Sequence, residues 1–217
     1  SPVAYWVSER FLKAFEFGCR LGECIPVKKG MDTGNNDLFL KLWTEVSYND
    51  IDLVSGTKKW IPYDKGGEFR KWYGNNCYVL YWKNNGYDLK KSTANLRSIH
   101  LYFKESITWN ALSSSNTSFR FSNFKGSFDS AGSSMFPLNK DTYYYLGLMN
   151  SKIAELSLRI INPTLNFGAG SISNVPIVFN KDMDNRIDDV VSNSISISRE
   201  DWDSYETSWD FMKSPLV

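Results

Sequence analysis

The chain has 217 residues, of which 42% are hydrophobic and 16% aromatic, and its formal net charge is +1. This length and composition are typical of one sizeable folded domain and exclude a disordered or fibrous protein. No stretch approaches the run of about 18 apolar residues that a membrane span requires, and no signal peptide is visible, so we expect a cytoplasmic protein without membrane contact. Because the chain opens on Ser1, we expect it to be part of a longer protein.

Apolar spacing and turn residues predict one early helix followed by many short strands. Residues 5–17 have helical spacing, with Ser8 as a candidate N-cap and Gly18 at the end. Residues 83–86 read as a turn. Strands are predicted at 21–27, 38–43, 60–63, 77–82, 108–112, 119–121 and 128–131.

The second half of the chain contains the clearest helical pattern. Residues 141–160 keep a period of about 3.6 residues, with Asp141 or Thr142 as a cap and Asn162 followed by Pro163 at the end. The tail after residue 180 is polar and acidic, with three aromatic anchors, Trp202, Trp209 and Phe211. We therefore predict an α+β fold: a mixed, mostly antiparallel, β-rich domain over 1–180 with flanking helices, one of them long, and a C-terminal segment over 181–217.

Residues suited to metal binding or acid–base chemistry are scarce. The three cysteines, Cys19, Cys24 and Cys77, have no framework spacing and are expected to be reduced thiols. With His100 as the only histidine, four zinc ligands cannot be assembled without carboxylates, so no metal site is predicted. The acidic residues at 182–189 lack a nearby Glu-x-Lys partner, which favours a solvated stretch over a nuclease cluster.

Cofactor and catalytic motifs are also missing. No Gly-rich loop follows a strand with an acidic residue about 20 positions further on, and the Gly168-Ala169-Gly170 run is too short for such a loop. The run at 162–165 superficially matches the Asn-Pro-Pro-aromatic motif of amino-methylating DNA methyltransferases. Thr164 replaces the second proline and Leu165 the aromatic ring, which favours a simple helix stop. No catalytic residue and no cofactor site are predicted in this chain.

Charge is distributed unevenly along the sequence. Residues 57–125 contain twelve Lys and Arg against four Asp and Glu, whereas residues 171–217 contain four against nine. A basic middle is consistent with a surface that faces a polyanion, and equally with ordinary solvated charge.

The segment 60–76 combines cations, glycines, aromatic rings and amides. Its lysines and arginine can meet phosphates, paired glycines let a backbone approach a ligand, and asparagines can read base edges. The alternative is the edge of a β-rich core with an ordinary glycine turn. The candidate DNA-binding residues here are Lys65, Gly66, Gly67, Arg70, Lys71, Trp72, Tyr73, Asn75 and Asn76, joined by Lys28, Lys29, Thr33, Asn35 and Asn36 from the turn-rich loop at 28–37.

Four stretches resemble the target-recognition region of the BREX-type (PglX-like) adenine-specific DNA methyltransferases and of related type II restriction-modification enzymes. They are 2–8 with 30–37, 65–75, 147–152 with 162–167 and 174–177, and 201–211. The stretch at 65–75 is long and specific, whereas the third also resembles the end of type I specificity-subunit recognition domains.

The resemblance implies that this chain grips double-stranded DNA and selects its sequence. A catalytic domain elsewhere in the same polypeptide would bind S-adenosylmethionine and methylate a flipped adenine at N6. The chain itself would hold no cofactor and be inactive alone. The alternative is a protein-interaction domain of a defence complex, and an independent hydrolase or nuclease is disfavoured. If DNA is the partner, we expect Lys65, Arg70 and Lys71 to share one exposed face near the loop at 30–36, and binding to weaken steeply with salt.

Overall fold

Short strands and helices alternate along the chain in a computed structural model that describes residues 7–112, 116–137, 141–162, 164, 166–179 and 184–216. The helices are α1 (Glu9–Phe17), α2 (Leu21–Cys24), α3 (Asn36–Phe39), α4 (Lys83–Lys91), α5 (Thr142–Asn150), α6 (Lys152–Ile161), α7 (Ala169–Ser173) and α8 (Asp184–Asp203). Three 3-10 turns lie at Trp43–Glu45, Tyr48–Asp50 and Ile99–Leu101. The strands are β1 (Cys19–Arg20), β2 (Val27–Lys28), β3 (Leu40–Leu42), β4 (Trp60–Asp64), β5 (Tyr78–Tyr81), β6 (Ser106–Trp109), β7 (Phe119–Ser122), β8 (Ser127–Phe128), β9 (Ser134–Met135) and β10 (Pro176–Ile177).

The strands form two four-stranded sheets and one two-stranded sheet. Their orders are β2-β9-β6-β7, β3-β5-β4-β8 and β1-β10, and every pairing is antiparallel except β4 with β8. The predicted α+β class with mostly antiparallel pairing is confirmed.

Each four-stranded sheet has its own apolar core. Ile107, Trp109 and Phe119 of the first sheet pack with the buried side chains of α5 to α8. In the second sheet, Ile61 and Leu80 pack with Trp82 and residues from the loops around it. The first sheet is therefore covered by helices, whereas the second carries mainly loops, α3 and α4.

Most of the predicted strands are present, but the one predicted at 21–27 is wrong. Leu21–Cys24 is a helical turn, because the Glu23 carboxylate accepts a hydrogen bond from the Arg20 backbone N–H at 3.1 Å and closes it. Only Val27–Lys28 is extended. The turn predicted at 83–86 is present as the left-handed start of α4.

The early helix is confirmed from Glu9 to Phe17, and the Ser8 hydroxyl accepts from the Phe11 N–H as predicted. Its predicted first residues, 5 and 6, lie outside the described residues. The predicted long helix over 141–160 is two helices, α5 and α6. Ser151 has an extended backbone between them, and its hydroxyl accepts from the Ala154 N–H to cap α6. The apolar period runs unbroken through this interruption, which is why the sequence pattern predicts one helix.

The long helix of the fold is α8, in the tail that was predicted only as a polar segment. Val191, Ile195 and Trp202 lie on one face of α8 and are buried in the first core, with α5 as its main neighbour. A side chain at Gly147 would collide with Val191, so the glycine permits this close packing. The predicted domain boundary after residue 180 lies outside the described residues and stays a prediction.

No helix in the described part of the chain is long and apolar enough to cross a membrane.

Candidate nucleic-acid interface

The loop at 65–76 leaves β4 and returns to β5 at the same end of the sheet, because Tyr63 pairs with Tyr78 in the antiparallel register. Gly66 and Gly67 have φ of +91° and +140°, conformations that L side chains rarely adopt. The glycine pair is thus required by the backbone of the loop itself.

A buried arginine supports this loop from below. Arg120 of β7 is 1% exposed, and its guanidinium donates to the Asn110 side-chain oxygen at 2.8 Å and to the Arg70 carbonyl at 3.3 Å. Asn110 in turn donates to the carbonyls of Gly67 and Glu68. Burial lowers the pKa of Arg120 to about 10, partly offset by the charge of Asp64. At neutral pH the arginine is therefore charged and holds the loop in one conformation.

The expectation that the three cations of this loop are all exposed does not hold, because Lys65, Arg70 and Lys71 are all half-buried. Arg70 is engaged within the chain. Its guanidinium donates to the carbonyls of Tyr73 at 2.8 Å and Ser198 at 3.0 Å, and to Asp201 at 2.6 Å. It also lies over the ring of Trp202, 5.1 Å from the centroid. Arg70 therefore ties the loop to α8, and a phosphate contact by it stays a prediction.

Lys71 is likewise half-buried and engaged within the chain. Its ammonium donates to the carbonyl of Asn150, the last residue of α5, at 3.1 Å. The side-chain amide of Asn150 pairs with both backbone groups of Phe119, so the helix end, the strand β7 and the loop are joined.

The aromatic and amide candidates of the loop, Trp72, Tyr73, Asn75 and Asn76, are buried or half-buried, whereas Phe69 is 54% exposed. Tyr73 is 1% exposed, with the Arg199 guanidinium 4.7 Å from its ring centroid, and Trp72 packs against the first core. Asn75 donates to the Glu68 carbonyl, and the buried Asn76 accepts at its carbonyl from the Trp209 indole. These four residues match the alternative kept open from the sequence, the edge of a β-rich core.

Lys65 and the loop at 28–36 meet at a shared segment, 129–132. The Asp129 N–H donates to the Asp64 carbonyl and the Ser130 N–H donates to the Met31 carbonyl, both at 2.9 Å. The Lys65 ammonium lies 4.6 Å from the centroid of the Tyr78 ring. Lys65 directly follows Asp64 and therefore lies beside the segment 129–132. Arg70 and Lys71 instead form hydrogen bonds to α8 and to the end of α5.

Within the loop at 28–36, Lys28 and Lys29 are exposed, whereas the other candidates stabilise the turn. The buried Thr33 hydroxyl donates to the Asn36 side-chain oxygen at 2.5 Å, and the Asn35 side chain caps α3 by accepting from the Leu38 N–H. The two lysines are thus the cations that this loop presents to solvent.

A polar depression of about 310 Å³ lies between the loop at 28–36 and the segment 129–132, and it is lined by Asp32, Thr33, Gly34, Asn36, Asp129 and Ser130. Burial raises the pKa of Asp32, but hydrogen bonds from Ser130 and Arg97 outweigh it and lower that pKa overall. Since ionised carboxylates repel anions, the depression itself is unfavourable for a phosphate group.

No three His, Cys, Asp or Glu side chains lie close enough to hold a metal ion within the described ranges. The three cysteines are free thiols, and burial together with the neighbouring Cys19 raises the pKa of Cys24 to about 12.

The described residues around Gly168 do not form the strand–loop–helix turn of a Gly-rich cofactor loop. Gly168 precedes only the five-residue helix α7, and the chain before it forms a single bridge between Asn166 and Leu112 rather than a strand. Between named strands, parallel pairing is limited to β4 with β8, so the described chain has no parallel strand–helix–strand unit there. Pro163 and Leu165 of the degenerate motif lie outside the described residues.

Sequence reasoning missed the supports of the loop, Asn110 and Arg120, because their partners within the loop are 42 or more residues away along the chain. It also missed a group of lysines at the other end of the second sheet, although the charge excess over 57–125 contains them.

No protein-family model matches the chain. Two adenine-specific methyltransferases resemble the chain along its whole length. The chain is 41% identical over 222 residues to adenine-specific methyltransferase BrxX of Escherichia coli O9:H4 (strain HS), and 38% identical over 234 residues to adenine-specific methyltransferase PglX of Lacticaseibacillus casei (strain Zhang). All of this chain is matched, but it spans only 18% and 19% of those relatives. The resemblance to BREX-type adenine-specific methyltransferases is confirmed.

Proposed function

We propose that this chain is the DNA target-recognition part of an adenine-N6 DNA methyltransferase that serves in phage defence or restriction-modification. The observation that carries the proposal is the match of the entire chain to one segment of two adenine-specific methyltransferases. The sequence of the segment lacks catalytic and cofactor motifs, so methyl transfer from S-adenosylmethionine is assigned to the remainder of the enzyme.

The geometry supports a role in positioning DNA. Lys28, Lys29 and Lys65 stand on loops that hydrogen bonds to other segments hold in place. Contacts from lysine ammonium groups to phosphates fix the position of a protein on the DNA backbone. In this proposal Arg70 and Lys71 fix the shape of the loop that carries Lys65. The proposal places the chain in the cytoplasm, where the DNA of a bacterial cell lies.

An exchange of segments tests the proposal. This chain replaces the matching segment of the E. coli relative, and the methylated adenines are mapped by sequencing in cells that carry the chimera. We expect the methylated sequence to change from that of the recipient to a new one. A control enzyme with its own segment reinserted at the same junctions keeps the original site. Methylation of the recipient's original site by the chimera would show that the segment does not select sequence.

A second candidate function, protein interaction, has its own observation. An apolar groove of about 540 Å³ lies between α5, α6 and α8, lined by Trp72, Tyr144, Gly147, Leu148, Ser151, Ile153, Arg186, Ile187, Val190 and Val191. Two of its residues, Ile153 and Val190, are 62% and 57% exposed. We assign this groove to contact with the catalytic region of the same polypeptide, since most of each relative's length lies outside the matched segment. DNA binding weakens steeply with salt whereas apolar docking does not, which separates the two functions.

A further inference from the structure

Five exposed lysines gather at one end of the second sheet. The register that pairs Trp60 with Tyr81 places the start of β4 beside the end of β5, and the Trp82 N–H donates to the Lys59 carbonyl at 2.7 Å. Residues just before β4 and just after β5 therefore share this end, opposite to the end that carries the loop at 65–76. We name the group the lysine end, formed by Lys58, Lys59, Lys83, Lys90 and Lys91.

The lysine end carries a net positive charge, with the exposed Asp88 of α4 as its acidic neighbour. None of its five lysines forms an ion pair with an acid among the described residues. Three of them lie over aromatic rings instead: Lys59 over Trp60, Lys90 over Trp82 and Lys91 over Tyr87, at 4.3–5.9 Å. Rings of this kind attract the ammonium and restrict its position without cancelling its charge.

A rigid turn projects between these lysines. Asn84, Asn85 and Gly86 are all left-handed, with φ of 53°, 56° and 71°. The Gly86 N–H donates to the Trp82 carbonyl at 2.9 Å, and its Cα lies so close to the buried Trp82 ring that any side chain there would collide with it. Asparagine tolerates this conformation better than most residues.

The side chains of the turn are turned outward. Asn84 and Asn85 are exposed, and neither amide forms a side-chain hydrogen bond with another described residue. Tyr87, directly after the turn, is 49% exposed. Two exposed amides without a partner in the described chain, set between cations that form no ion pair, are suited to a ligand that offers phosphates on either side of hydrogen-bonding edges.

We propose that the lysine end binds the phosphate backbone of double-stranded DNA and that the Asn84–Asn85 turn enters a groove to read base edges. This inference rests on the proposed function and names a surface that includes none of the loop residues discussed above. Lysine ammonium groups bind the phosphates. A side-chain amide can pair with adenine N6 and N7, which gives the turn a preference for adenine.

The lysines are tested in the chimera that carries this chain in the E. coli relative. Lys83, Lys90 and Lys91 are changed together to Ala, and DNA affinity is measured over a range of salt concentrations. We expect the slope of log affinity against log salt to fall by about one unit for each phosphate that the variant no longer binds, hence by about three. Lys13→Ala with Lys152→Ala, two exposed lysines on α1 and α6, is the control and should leave the slope unchanged. A wild-type slope in the triple variant would overturn the proposal.

The turn is tested by Asn84→Gly with Asn85→Gly, which is compatible with the left-handed backbone and removes both side chains with their amides. We expect discrimination at one base-pair position to fall roughly 5- to 150-fold, with little change elsewhere in the site. Asn193→Ala, an exposed amide on α8, should have no such effect. Thermal unfolding of each variant shows whether the fold is intact. An unchanged site preference in a folded double-glycine variant would contradict the reading role.

The two proposals fail separately. If the chimera keeps the recipient's methylation site, the proposed function is wrong. If the site moves with the segment but the lysine and asparagine variants bind and select DNA like the parent chimera, only the lysine end is excluded.

Discussion

Single residues fix the loops that present the cations, and Asp52 is the clearest case. Its buried carboxylate accepts backbone hydrogen bonds from Val54, Ser55, Thr57 and Lys58, and so shapes the turn before β4. Burial opposes ionisation, but the bonds from Ser55, Val54 and Thr57 outweigh it and hold the pKa of Asp52 far below its usual range.

We predict that Asp52→Asn lowers the free energy of unfolding by about 3 kcal/mol at pH 7. The NH2 group of the new amide would face backbone N–H groups that the carboxylate oxygens now accept from. The folded-state pKa lies below the unfolded value of about 3.9, so the carboxylate stabilises the fold above that pH. Its contribution is lost as the pH falls below about 4 toward the folded pKa. Urea unfolding from pH 7 to pH 2 should show the difference between variant and parent shrinking at the acid end.

The control for this prediction is Asp50→Asn, an exposed carboxylate two residues earlier. It should change stability by less than about 0.5 kcal/mol at every pH. A difference between Asp52→Asn and the parent that persists undiminished at pH 2 would mean that the carboxylate's charge is not what stabilises the turn.

At the scale of elements, Arg70 joins the loop at 65–76 to α8. We predict that Arg70→Ala costs about 2 kcal/mol of stability, because two backbone carbonyls lose their donor and the Trp202 ring loses its covering group. The pair with Asp201 adds little, since that carboxylate is 58% exposed and screened by solvent. Hydrogen exchange should show faster exchange near the C-terminal end of α8.

Lys65→Ala is the matched control on the same loop. It removes a cation whose ammonium packs on a ring and makes no hydrogen bond to another described residue. Stability should therefore be nearly unchanged, while the slope of log affinity for DNA against log salt falls by about one unit. If Arg70→Ala leaves α8 fully protected from exchange, the tie between loop and helix contributes nothing measurable.

At the scale of the whole molecule, the groove between α5, α6 and α8 is an apolar surface, whereas the loops that carry the lysines form a charged surface. We predict that Ile153→Asp with Val190→Asp leaves this chain folded, because both side chains are largely exposed, but lowers methylation by the chimera at least about tenfold because the groove no longer docks. Methylation in cells and thermal unfolding of the 217-residue chain measure the two effects. Ile197→Asp, an exposed apolar residue elsewhere on α8, is the control. Full methylation by the double variant would exclude the groove as the docking surface.

Several features follow from the sequence alone because they depend on neighbours along the chain. Apolar and turn residues predict the strands near 60–63 and 77–82. The position of Ser8 just before a helical pattern predicts that it is the N-cap of α1. The missing motifs are also read from the sequence, and they argue against catalysis by this chain. The family resemblance likewise depends on stretches of consecutive residues, such as 65–75, that can be compared without knowledge of the fold.

Only the tertiary structure decides which cations are free. Arg70 and Lys71 have the same sequence character as Lys65, yet their partners are Ser198 and Asn150, more than 70 residues away. The burial of α8 also depends on packing between distant segments, which its polar sequence pattern does not reveal. A local pattern specifies what a side chain is able to bind, but its partners are set by the contacts that folding brings together.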